Sequence, residues 1–263
     1  MENYEKLFKS NAHANFKYAK GEVDIYTNMF HDCYEIYLLL DGNVEFVNNH
    51  SRYTLLPYQL VVIPMGEYHQ FIVNDSMDTY ERCVINLYPE LFHDDTLSAA
   101  LSGKELLTLP KDHRIIENML YLKKAMHEYS DADFSHVLSA IATDIVLLVK
   151  QLEHATVTTH SQLHPLALQI MNYVNERYQD NISLEDIARH CYISVSSVSH
   201  IFKNNFGISI KKYIIEKRMT EAKFCLNQGE KAQEVCHKFG FANYSTFYRA
   251  YKEYFGHAPS KRM

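Results

Sequence analysis

Two short stretches in the last third of the chain set small polar and basic side chains on a helical spacing. In the first, about Val195 to Asn205, Val198, Ile201, Phe202 and Phe206 recur at core spacing. Ser196, Ser197, Ser199, His200 and Lys203 are left outward. In the second, about Asn243 to Phe255, Phe247, Ala250, Tyr251 and Phe255 turn inward, and Tyr244, Ser245, Tyr248, Arg249 and Lys252 turn out. Ser194 and Asn243 stand where each helix needs an N-cap. A face of small polar and basic groups suits insertion into a DNA major groove, where bulk clashes and hydroxyls reach base edges or phosphates. Base contacts are expected from Ser196, Ser199 and His200, and from Tyr244, Ser245, Tyr248 and Arg249. Arginine is the commonest specific reader of guanine. Lys203, Lys211, Lys212, Arg218 and Lys252 are expected to include the phosphate contacts.

The surrounding elements are those needed to present such faces. Ser183 and Asp186 have the spacing of a capping box and open a short helix before the turn at Cys191-Tyr192-Ile193. Glu230 to Phe239 reads as the second supporting helix, with Gly240 as its turn. Phe202-Lys-Asn-Asn-Phe-Gly207 recurs as Tyr251-Lys-Glu-Tyr-Phe-Gly256, so the segment is an internal repeat of two helix-turn-helix units. A helix over Lys211 to Leu226 fixes their separation, so the units should occupy major grooves about 34 Å apart. Charge follows the same division. Residues 1–162 carry 12 Lys or Arg against 23 Asp or Glu, while 163–263 carry 14 against 9. A basic final third behind an acidic remainder fits a polyanion-binding module attached to something else.

The rest of the 263-residue chain has another texture. Between Phe16 and Asn86, β-rich runs (Glu35–Leu40, Val44–Val47, Tyr53–Leu56, Leu60–Ile63, Gln70–Val73) alternate with turn signals, the pattern of a sandwich or small barrel. From Asp112 the period becomes helical, and Ile141, Ile145 and Leu148 form a stripe expected to pair two subunits. Thr156 to His164 reads as a linker, and Pro165 opens the final helical segment. The expected division is a barrel over 1–110, dimerisation helices over 111–155, a linker over 156–164 and a DNA-binding domain over 165–263. The fold class is α+β in two domains. Five cysteines without a CxxC pair point to free thiols. The N-terminus lacks a secretory pattern, and the apolar run from Val137 to Val149 falls short of the roughly 20 residues a bilayer needs. A cytoplasmic protein without membrane partners is therefore expected.

The last 100 residues resemble the AraC/XylS family of transcription regulators. The resemblance rests on Ile182-Ser-Leu-Glu-Asp-Ile-Ala188, Ser194-Val-Ser-Ser-Val-Ser-His-Ile-Phe-Lys203, Arg218-Met with Ala222 and Leu226, and Gly240-Phe with Asn243-Tyr-Ser, Phe247, Arg249, Tyr251 and Pro259. It implies a sequence-specific regulator of double-stranded DNA that forms homodimers, contacts RNA polymerase if an activator, and has no enzymatic activity. It also implies an N-terminal cupin-like barrel that senses a small molecule or only dimerises. His31, Glu35 and Gly42 match most of one cupin motif, and Pro64, Gly66 and His69 most of the other. Met29 stands where metal-binding cupins carry a further histidine, and Tyr58 replaces a leading glycine. His31, Glu35, Tyr37 and His69 are accordingly expected to line a ligand pocket, with neither metal nor other cofactor. A metal-dependent cupin enzyme fused to a DNA-binding module is the alternative of a different class.

Overall fold

The computed structural model describes residues 5–21, 30–73, 80–91, 99–152, 160–161 and 163–259. β-rich runs separated by turns build two antiparallel sheets in the N-terminal half, and most of their strands are buried on both faces. The strands are β1 (Glu5–Ser10), β2 (Ala14–Lys20), β3 (Tyr34–Asp41), β4 (Val44–Asn48), β5 (Arg52–Leu55), β6 (Gln59–Ile63), β7 (His69–Val73), β8 (Glu81–Leu87), β9 (Leu106–Thr108) and β10 (His160–Ser161). One sheet runs β1-β2-β8-β3-β6-β9 and the other β10-β5-β4-β7. The strand runs anticipated from sequence are present. β1 and β9, at the edges of the first sheet, β10, and the central β2 and β8 were not among those runs.

Period-2 patterning gives the first sheet two buried faces. One encloses Tyr37, Leu39, Val61 and Val84 with Phe46, Tyr53 and Leu55 of the second sheet. The other carries Phe16, Tyr18, Ile36, Leu38 and Ile85 and is covered by α1 (Arg114–Glu128) and α2 (Asp131–Gln151). This corrects the expectation of a free dimerisation stripe. Ile145 is fully buried, and Ile141 and Leu148 pack against the same core. The helix hides its apolar stripe on its own sheet. By length and composition alone α2 is apolar enough to cross a membrane, with mean hydropathy 1.6. In the fold, however, Phe134, Leu138, Ala142, Val146 and Val149 lie in the core.

The expected linker also differs. Most of it lies outside the described residues, but His160 and Ser161 pair with Tyr53 and Arg52 of β5, and Leu163 is buried. The connection is thus tied to the barrel. His164 caps α3 (Pro165–Arg177), with proline in the first turn. There follow α4 (Leu184–Cys191), α5 (Val195–Phe206), α6 (Ile210–Asn227), α7 (Ala232–Lys238) and α8 (Tyr244–Phe255). All five cysteines are free and buried.

Candidate nucleic-acid interface and ligand cavity

Each reading helix starts as its sequence dictates. Ser183 and Asp186 form the capping box of α4. Ser194 Oγ accepts from the Ser197 amide at 3.1 Å, and Asn243 Oδ1 from the Thr246 amide at 2.9 Å. Gly207 and Gly256 close α5 and α8 in the left-handed region. Val198, Phe202 and Phe206 on α5, and Phe247 and Tyr251 on α8, are buried. The opposite faces are open. Ser194, Ser196, Ser199, His200 and Lys203 are exposed on the first, and Asn243, Tyr244, Ser245, Arg249 and Lys252 on the second. Tyr248 is half-buried. Ser197 is half-buried and its Oγ lies 2.8 Å from Ser194 Oγ, so this residue belongs to the cap rather than to the open face. Ser194 and Asn243 are likewise engaged as caps.

Arg218 was expected among the phosphate contacts, and its position corrects this. Its guanidinium donates to the carbonyls of Tyr178 at 2.5 Å, Asp180 at 2.7 Å and Gly240 at 3.4 Å. It ties the end of α3 to the second motif's turn, since a guanidinium's fixed fork matches several acceptors at once. Gly240 has φ +70°, and a Cβ there would lie 2.3 Å from the Gln179 carbonyl oxygen. Only glycine permits that approach.

In the barrel, His31, Glu35 and His69 come together with their ligand atoms within 4.8 Å of one another. Glu35 lies between the imidazoles, 3.4 Å from His31 Nε2 and 3.8 Å from His69 Nε2. Burial opposes ionisation of Glu35, but the His31 imidazole outweighs it and holds the carboxyl down to about 2. Burial, reinforced by the charge on His31, pushes His69 down to about 4. Three such side chains offer fewer ligands than a closed tetrahedral metal site uses. Met29 lies outside the described residues. Tyr58 keeps the backbone its glycine counterpart would adopt, with φ +68°.

These three residues line a cavity of about 370 Å³ whose remaining walls come from both halves of the chain. Asn15, Lys17, Phe30, Phe71, Asn86 and Tyr88 face Thr220 and Lys223 of α6 and Tyr254 and Phe255 of α8. Asn15, Asn86 and Glu35 are register partners across β2, β8 and β3, so they form one polar row at an end of the barrel interior. Tyr37 does not line it, contrary to expectation. Alternation does put Tyr37 on Glu35's face, but Phe71 of the opposite sheet stacks on it at 3.8 Å and its hydroxyl meets Tyr80 at 2.8 Å. Sequence reasoning missed Asn15, Asn86, Thr220 and Tyr254. The inward phase of two asparagines in β-strands was the available signal.

Comparison with known proteins agrees with this division. A model described as AraC-like ligand binding domain matches residues 17–143, and one described as Helix-turn-helix domain matches residues 187–262. The uncharacterized HTH-type transcriptional regulator YdiP of Escherichia coli (strain K12) is 26% identical over 242 residues, covering 86% of this chain and 77% of that protein. The transcriptional regulatory protein HptR of Staphylococcus aureus (strain NCTC 8325 / PS 47) is 23% identical, covering 76% and 90%. Among solved structures, ToxT from Vibrio cholerae O395 aligns over 95% of this chain and 96% of its own at 17% identity, with a TM-score of 0.40.

A ligand-binding barrel joined to tandem helix-turn-helix units defines a DNA-binding transcriptional regulator. The chain belongs to the AraC family of such regulators.

Proposed function

We propose that this protein binds DNA sequence-specifically and that a small molecule held between barrel and helices controls the binding. One observation carries the effector reading. Asn15 Oδ1 and Asn86 Oδ1 are buried without a hydrogen-bond partner, the Thr220 and Tyr254 hydroxyls have none beyond each other, and all four residues line the one cavity. Buried polar atoms are ordinarily satisfied, so a cluster of such groups facing one space fits a ligand that supplies their partners.

In this reading the barrel and α1–α2 form the sensing unit and 165–263 the DNA-binding domain, working in the cytoplasm, where the chromosome lies. Ser196, Ser199 and His200 read one half-site, and Tyr244, Ser245, Tyr248 and Arg249 the next. Lys203 and Lys252 hold phosphates. Two chains pair as a homodimer, and RNA polymerase is the partner where the outcome is activation.

A binding screen over randomised duplexes tests the assignment. Arg249→Ala is expected to lose about 1–3 kcal/mol and relax preference at one base pair. Equal loss for every sequence would make Arg249 a phosphate clamp and overturn the role given to it.

A further inference from the structure

The two motifs meet the barrel differently. The first shares an apolar core with it, in which Phe30, Val47 and Tyr68 pack among Phe202, Phe206 and Tyr213. The rings of Phe30 and Tyr213 meet edge-on at 5.1 Å. The Tyr68 hydroxyl donates to the Phe206 carbonyl at the end of α5, and the Tyr213 hydroxyl lies 3.1 Å from Asn49 Oδ1. The core of the second motif, built on Val235, Cys236, Phe247 and Tyr251, contains no barrel residue among those described.

What lies between the barrel and the second motif is the cavity. Its helical wall consists of Thr220, Lys223, Tyr254 and Phe255, with no residue of α3, α4 or α5. Lys223 and Asp32 form an ion pair at its rim, 3.0 Å apart. A ligand that bonds Asn15 and Asn86 on one side and the Thr220 and Tyr254 hydroxyls on the other therefore joins the second motif to the barrel. Both charge signs are present on the wall, through Lys17 and Lys223 and through Asp32 and Glu35, so no net charge is demanded of that ligand. Phe30, Phe71 and Phe255 offer it apolar faces.

We infer that the cavity takes a compact, uncharged molecule bearing several hydroxyl or amide groups, and that its occupancy is read by the second motif alone. This rests on the cavity being the effector site. The first motif is a fixed extension of the barrel and holds its half-site in either state. The second is positioned by what fills the cavity, because a ligand shifts an equilibrium only through contacts that differ between the two states.

The test uses the full-length protein and four variants. Lys223→Met cuts the ion pair beside the cavity, and Tyr68→Phe removes the hydroxyl that holds the first motif. Thr220→Val and Tyr254→Phe remove the helical wall's hydroxyls with little change of shape. Hydrogen exchange is followed over α5 and α8, and footprints are taken at both half-sites of a duplex selected by the wild type. Lys223→Met is expected to speed exchange in α8 and to change second half-site occupancy about fivefold or more, leaving α5 and the first half-site as they were. Thr220→Val and Tyr254→Phe, which disturb only the second motif's side of the cavity, are expected to speed exchange in α8 and not in α5. Parallel changes at both motifs in Lys223→Met, or loosening of α8 by Tyr68→Phe as great as that of α5, would overturn the inference. If the wild type selects no duplex, the DNA-reading assignment fails, and the exchange pattern alone still decides this one.

Discussion

Gly240 and Tyr192 occupy equivalent turns of the internal repeat, both in the left-handed region, at φ +70° and +56°. They should nevertheless respond oppositely to substitution. Alanine at 240 meets two penalties. The left-handed backbone costs a residue with a Cβ about 1–2 kcal/mol. The new methyl would also sit 2.3 Å from Gln179 O, a backbone atom held by the loop that Arg218 clamps, and 3.0 Å from Arg218 Nη2. Relieving overlap in a packed site costs about 1–3 kcal/mol more. A total near 3 kcal/mol raises the open population of the second motif about a hundredfold. Native-state hydrogen exchange locates the effect: amides of Val235, Cys236 and Phe247 are expected to exchange about a hundred times faster, while those of Val198 and Phe202 do not change. Tyr192 is 93% exposed and contributes no packing, so Tyr192→Gly relieves the backbone at the sole cost of the freedom glycine gives the unfolded chain. That variant is expected to be as stable as the wild type or up to about 1 kcal/mol more so. The reasoning is refuted if Gly240→Ala exchanges like the wild type, or if both motifs loosen equally.

Arg218→Met leaves three carbonyls without their donor and is expected to lower the melting temperature modestly, at about 1 kcal/mol, because only the Tyr178 carbonyl is partly buried and water reaches the other two. It should not alter the salt dependence of DNA binding, which distinguishes a clamp from a phosphate contact. Lys203→Ala and Lys252→Ala should each reduce the slope of log affinity against log salt by about 1, measured by titration at several salt concentrations. Glu67, on the turn before β7, is pushed up to about 7 by burial and by the nearby charge of Glu105, with Lys217 of α6 opposing. A carboxyl raised in the folded state contributes its full stability below the unfolded value near 4.5 and loses it as pH rises toward 7. Thermal melts are therefore expected to show stability declining from pH 4.5 to 7 in the wild type, with a shallower decline in Glu67→Gln.

The helical domain was largely legible because its signals are local. Ser183, Ser194 and Asn243 cap the helices they precede, and a 3.6-residue period separates Phe202 and Phe247 from the open faces. The barrel's strand runs were legible for the same reason, through their β-rich composition and the turns between them. What was not legible depends on partners distant in the chain. Nothing beside Tyr37 announces that Phe71 will cover it, and nothing beside Arg218 announces three carbonyls from 178 to 240. The α2 stripe has the periodicity of either a subunit interface or a packed helix, and only the sheet beneath it decides. The cavity is the extreme case, since its polar row comes from registers across three strands and its other wall from α6 and α8.

Two motifs held by α6 are proposed to read successive major grooves on one face of DNA, about 34 Å apart. Spacing tests it most directly. A duplex selected from a randomised pool is compared with the same duplex carrying about half a helical turn inserted between its half-sites, which puts them on opposite faces. Affinity is expected to fall to that of a single half-site, and a full-turn insertion is not expected to restore it, because α6, 18 residues long, cannot reach a further helical turn of DNA. Equal affinity for the parent and the half-turn duplex would contradict it.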